Sequence, residues 1–150
     1  MKKTNNKGFS LVELIVVIAI MAVLIGVLAP TFTKYVERGR KSTDVQNVAS
    51  IVTAVQTYAA DPMADAQFSA GDYTITLDSA NVTTISDTST NIMDKALLAA
   101  GIKEYGLKSN KWGAATVTVT FTVAADGSIT AKQTAPAATT DVDIVKGLYK

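Results

Sequence analysis

A single carboxylate, Glu13, stands at the head of sixteen consecutive uncharged residues, Leu14 to Ala29. Placing an acid in hydrocarbon costs about 2.5 to 3.5 kcal/mol on insertion scales, so such a group generally has a partner or a task. Little else in the chain offers chemistry. With no histidine and no cysteine, Ser-His and Cys-His nucleophile pairs, thiolate metal sites and disulfides are all excluded. Asp141 and Asp143 are the only metal candidates, and two acids fall far short of the six to eight oxygens calcium takes. Asp61, Asp65, Asp72, Asp78 and Asp87 read as turn and cap residues rather than paired catalytic carboxylates. Asn81-Val82-Thr83 matches a glycosylation acceptor and Ser86 to Thr90 could be O-modified; both read as coincidence in a Thr-rich chain. Trp112, between Lys111 and Gly113, reads as core or subunit packing. No cofactor, resident metal or enzymatic activity is expected.

The element that must position Glu13 is the apolar run itself. At 1.5 Å per residue, Leu14 to Ala29 spans about 24 Å, and Phe9 to Thr33 about 37 Å, against a hydrocarbon core of about 30 Å. A membrane span fits. A cleaved secretory signal also has its basic n-region in Lys2, Lys3 and Lys7, but Glu13 inside the apolar part and Pro30 just after Val27-Leu28-Ala29 both speak against it. Three lysines precede the run, while Lys34, Arg38, Arg40 and Lys41, offset by Glu37, follow it, so charge does not choose an orientation. The net charge is +1, and without the first eight residues 11 basic side chains face 13 acidic ones, −2. A broadly basic nucleic-acid surface gets no support, and no direct nucleic-acid binding is expected.

The stretch Lys7-Gly8-Phe9-Ser10-Leu11-Val12-Glu13-Leu14-Ile15-Val16-Val17-Ile18-Ala19-Ile20 resembles the N-terminal signature of the type IV pilin superfamily. In that superfamily a short basic leader ends in glycine and the mature chain opens with phenylalanine. The resemblance covers residues 7 to 30, Pro30 included, and stops there. It implies that a prepilin peptidase removes residues 1–8 by cutting between Gly8 and Phe9, and that the new amine of Phe9 is methylated. It also implies that Glu13 pairs with the methylated terminus of a neighbour during assembly. The alternative for Glu13 is that it snorkels to the headgroups from the first turn, where a helix N-terminus favours negative charge. Related filaments are partly melted at the positions of Gly26 to Pro30; a static kink at Pro30 is the alternative.

After residues 9–33 the pattern turns amphipathic, opening a head that occupies residues 34–150. Val45, Val48, Val52, Val55 and Ala59 recur at helical spacing, with Ile51 and Tyr58 widening the stripe, so a second helical half is expected over 34–60. Glu37 and Lys41 are spaced to pair, and the charged collar from Lys34 to Asp44 marks the exit from the apolar zone. Asp61-Pro62 ends the helix. Residues 62–91 read as a variable loop with strand-like pieces at Tyr73 to Leu77 and Asn81 to Ile85. A short helix is expected over 92–100, stopped by Gly101. An antiparallel sheet over 115–150 starts from the alternating strand Thr116 to Val123, turns at Asp126-Gly127 and returns over Ser128 to Thr134. Val142 to Tyr149 is a candidate edge strand. The fold class is therefore α+β: a long N-terminal helix, kinked near Pro30, packed on a small antiparallel sheet of three to four strands. Without the cysteine pair found in many Gram-negative pilins, the C-terminal loop is expected to be held by packing alone.

What the resemblance implies is a structural role. A major-type pilin would sit single-pass in the cytoplasmic membrane, meeting lipid, the prepilin peptidase and an inner-membrane assembly platform. It would then join identical subunits in an extracellular filament for adhesion and twitching motility. A major pseudopilin of a type II secretion or competence DNA-uptake system is the alternative within the family. A membrane-tethered extracellular binding module is the alternative outside it.

Overall fold

The computed structural model describes residues 8–78, 83–86, 91–103, 106–112, 116–135 and 144–145. The chain divides into two units between Val36 and Glu37.

Helix α1 runs from Leu11 to Ala60 without interruption, through Gly26, Pro30 and Gly39. Pro30 removes the bond to the carbonyl of Gly26 and Gly26 costs about 1 kcal/mol relative to alanine. Neither ends the helix, which continues through both positions. The Thr33 hydroxyl donates to the Pro30 carbonyl at 3.0 Å, giving that oxygen a local partner. In the first unit, large apolar side chains from Phe9 to Val36 are exposed and none is buried.

In the second unit the same helix turns one face inward. Val48, Ile51, Val52, Ala54 and Val55 are buried, with Val45 and Tyr58 partly so. They share one core with Ile92, Met93, Ala96 and Leu97 of α2 (Ile92–Ala99) and with the inner face of a sheet. Each fully buried Val, Leu, Ile or Phe contributes about 1.5 to 3 kcal/mol relative to exposure. Helix α2 ends in a Schellman motif: the amide of Ile102 donates to the Leu97 carbonyl at 2.8 Å and that of Gly101 to Leu98 at 2.9 Å. Gly101 holds φ +74°, a conformation that favours glycine.

The sheet has four antiparallel strands in the order β2-β1-β3-β4: β1 Gly71–Asp78, β2 Thr83–Ser86, β3 Thr116–Val123 and β4 Ile129–Ala135. Here the strand-like pieces that the sequence placed in a variable loop over 62–91 prove to be members of the sheet. That segment supplies two of the four strands, and β1 sits in the middle, paired with β3 from Gly71↔Val123 to Asp78↔Thr116. Its alternation is the reason: Tyr73, Ile75 and Leu77 face the core opposite Phe121, Val119 and Val117. The outer face carries a polar ladder, with Thr76 bonded to Thr118 at 3.1 Å and the Thr122 hydroxyl donating to Asp72 at 2.7 Å. Such cross-strand pairs on both faces fix the register. The connection from β3 to β4 turns through Gly127 at φ +82°, and the Ser128 amide donates to the Asp126 carboxylate at 2.9 Å.

Of the candidate edge strand Val142 to Tyr149, only Ile144 and Val145 lie within the described residues. Both are buried in a bend. The Ile144 amide donates at 2.7 Å to the carboxamide oxygen of Gln133, itself buried on β4. A buried hydrogen bond therefore adds to packing in holding residue 144, contrary to the expectation of packing alone.

Candidate assembly site

Phe9 lies in the non-helical segment 8–10 ahead of α1, fully open to solvent. A Cβ placed on Gly8 would meet nothing within 4 Å. Among the described residues nothing requires a glycine there, and Gly8 and Phe9 are both exposed ahead of the helix.

Glu13 is the third helical residue, and its carboxylate reaches back to accept the backbone amide of Ser10, the N-cap, at 2.9 Å. That is one half of a capping box, for which Ser10-x-x-Glu13 is the sequence signature. The sequence reading weighed Glu13 as a counter-ion or a snorkelling acid and missed this third arrangement. The cap satisfies one of the amides left unpaired at a helix start, and the carboxylate keeps further acceptor sites, since two oxygens offer about four. A local cap and an outside cation are thus compatible.

Gly26 and Pro30 lie on the uninterrupted helix, and a side chain at Gly26 would again meet nothing within 4 Å. Both are poor helix formers on an exposed stretch of helix. Asp141 and Asp143 lie outside the described residues. Among the described residues no group of three potential metal ligands comes together.

At the start of the second unit the structure brings together residues that the sequence reading kept apart. Asp44, expected on the charged collar, is only 1% exposed. Its carboxylate accepts from the Lys108 amide at 2.6 Å, the Ser109 amide at 2.9 Å and the Trp112 indole Nε1 at 2.8 Å. Three N–H donors on one carboxylate satisfy its charge and fasten segment 106–112 to α1. Glu37 takes the Ser109 hydroxyl, a short contact, and lies 3.9 Å from Arg40. The expected Glu37–Lys41 pair is accordingly replaced, and the Lys41 ammonium sits 4.9 Å above the Trp112 ring. One signal for Asp44 was present in the sequence: it lies four residues before Val48 and eight before Val52, on the buried stripe itself.

Comparison with known proteins concerns mainly the first of these regions. The prokaryotic N-terminal methylation motif matches residues 3–29. The prepilin peptidase-dependent protein A of Clostridium perfringens is 40% identical over 55 residues, 37% of this chain and 39% of that protein. The type IV major pilin protein PilA of Myxococcus xanthus is 33% identical over 54 residues, 36% of this chain and 24% of PilA. The type IV major fimbrial protein FimA of Dichelobacter nodosus is 32% identical over 59 residues, 39% of this chain and 38% of FimA. The matched segments thus span less than two fifths of the length of these curated relatives, and no solved structure matches the chain. The methylation motif thus falls on Gly8, Phe9 and Glu13 at the head of an exposed apolar helix, and over this N-terminal part the chain is similar to type IV pilins.

Proposed function

We propose that the chain is a structural subunit that polymerises into a type IV filament after its leader is removed between Gly8 and Phe9 and the Phe9 amine is methylated. One observation carries this reading: the first half of α1 exposes every large apolar side chain it has, from Leu11 to Val36. An 18-residue window of this helix reaches a mean hydropathy of 3.1 with none of it buried. Such a surface must be covered by lipid or by copies of itself. In the precursor lipid covers it; in the filament, neighbouring helices do.

Glu13 decides which of these wins once an amine is freed at Phe9. A backbone cap such as the Ser10 contact is worth about 1 kcal/mol. An ammonium from a neighbouring subunit 4 Å from the carboxylate gains about 4 kcal/mol at an effective dielectric constant of 20. An intersubunit pair relieves the cost of holding Glu13 in hydrocarbon without requiring the cap to break. Gly26 and Pro30 fit the same role, as places where the helix loosens or where neighbouring backbones approach once subunits pack.

The test is mass spectrometry of filaments sheared from cells. Chains beginning at an N-methylated Phe9 are expected, and Glu13→Ala is expected to abolish filaments while leaving the precursor in the membrane. Polymers retaining Lys7 and Gly8, or wild-type filament yield from Glu13→Ala, would overturn the reading.

A further inference from the structure

We infer that the start of the second unit carries a basic surface that binds anionic phospholipid headgroups while the precursor is in the bilayer. This rests on the reading that the apolar half of α1 spans the membrane. In sequence, the stretch from Glu37 to Asp44 is nearly balanced, three bases against two acids. The fold undoes that balance. Asp44 is buried under three N–H donors, and Glu37, its side chain 15% exposed, takes the Ser109 hydroxyl.

Both acids turn inward, and the segment they hold brings two more cations, Lys108 and Lys111, both exposed. Arg40 is 54% exposed, and Lys41 is aligned over Trp112. Adding the two lysines raises the local formal charge from +1 to +3, and the charge left facing solvent is positive. Anionic lipid is the partner of matching chemistry, because Arg40 and Lys41 follow Phe32, the last apolar residue before Lys34, by only eight and nine positions. Long basic side chains just beyond a span reach the headgroup layer. Each well-placed cation near an anionic surface strengthens association about fivefold at moderate salt. A neighbouring subunit's acidic side chains are the competing partner.

The experiment uses the full-length precursor in phosphatidylcholine bilayers containing trace spin-labelled phosphatidylglycerol or phosphatidylcholine. Electron paramagnetic resonance reads the lipid immobilised at the protein surface. We expect phosphatidylglycerol to be enriched several-fold, and the enrichment to collapse near 1 M NaCl, where the Debye length is about 3 Å. The double variant Lys108→Gln/Lys111→Gln should lose at least threefold of that preference with an unchanged denaturation midpoint, since both side chains are exposed. Lys2, Lys3 and Lys7 are common to both chains and cancel. Equal preference in variant and wild type overturns the inference, and so does normal lipid preference accompanied by failed polymerisation, which assigns the surface to a neighbouring subunit. A precursor that does not float with vesicles overturns the spanning reading along with it.

Discussion

The two halves of α1 are made of similar apolar residues and meet opposite fates. From Leu11 to Val36 the helix is apolar on all sides and buries nothing; from Val48 to Val55 it is apolar on one face and that face is buried. An intramolecular core needs a stripe, because a helix can offer only one side to a sheet. A helix apolar all round is a surface for something outside the chain. Gly26 and Pro30 extend the contrast, since each is a poor choice for a monomeric helix and lies in the exposed half.

The contrast breaks most visibly at Phe121. Phe121→Ala removes a fully buried ring facing Tyr73 and should cost the head about 3 to 5 kcal/mol in chemical denaturation of the full chain in detergent. Ile18→Ala also deletes apolar surface but should shift the same midpoint by less than about 0.5 kcal/mol, because that side chain is exposed. If both variants lose stability equally, the first half is part of the core and the comparison fails.

Asp44→Ala comes next, with an expected loss of about 3 kcal/mol, since it leaves two amides and an indole N–H without their acceptor. Trp112 is the only tryptophan, so its fluorescence should shift to the red in parallel. Asp44→Asn keeps one oxygen and should lose less. In the exposed half, Gly26→Ala should raise helix stability by about 1 kcal/mol, read as slower amide exchange around residue 26, while lowering filament yield. A yield equal to wild type would place the purpose of that glycine elsewhere.

The smallest effect is at Asp126. The Ser128 hydroxyl and amide hold its carboxyl below the ordinary value of 3.8. A folded-state pKa below the unfolded one contributes stability above the unfolded value, and that contribution is lost as pH falls through the folded one. The melting-temperature difference between wild type and Asp126→Ala should therefore be small at neutral pH and shrink below pH 3.8. A difference that grows with acidity would contradict the assigned cause.

The methylation motif, the apolar helix, the stripe from Val45 to Tyr58, the strand Thr116–Val123 and the turn at Asp126-Gly127 were all legible in the sequence. Each is a local pattern repeating at 3.6 or 2 residues, or a short motif, and local patterns are written in consecutive residues. What stayed hidden depended on partners distant along the chain. The piece Tyr73 to Leu77 reads as strand-like, but its central place in the sheet follows only from eight pairings of β1 with β3, 38 to 52 residues further along. Asp44 looked like one more collar charge because its three donors lie 64 to 68 residues further on. Gln133 likewise gives no sign of meeting the amide of Ile144.

The sequence by itself determined that an apolar rod with one acid at its tip would precede a small α+β head, since side-chain chemistry and its period need no fold to be read. Only the tertiary structure decided which charges stay at the surface. A carboxylate is an exposed anion or a buried clasp according to whether distant N–H groups converge on it, and chain topology alone brings them there.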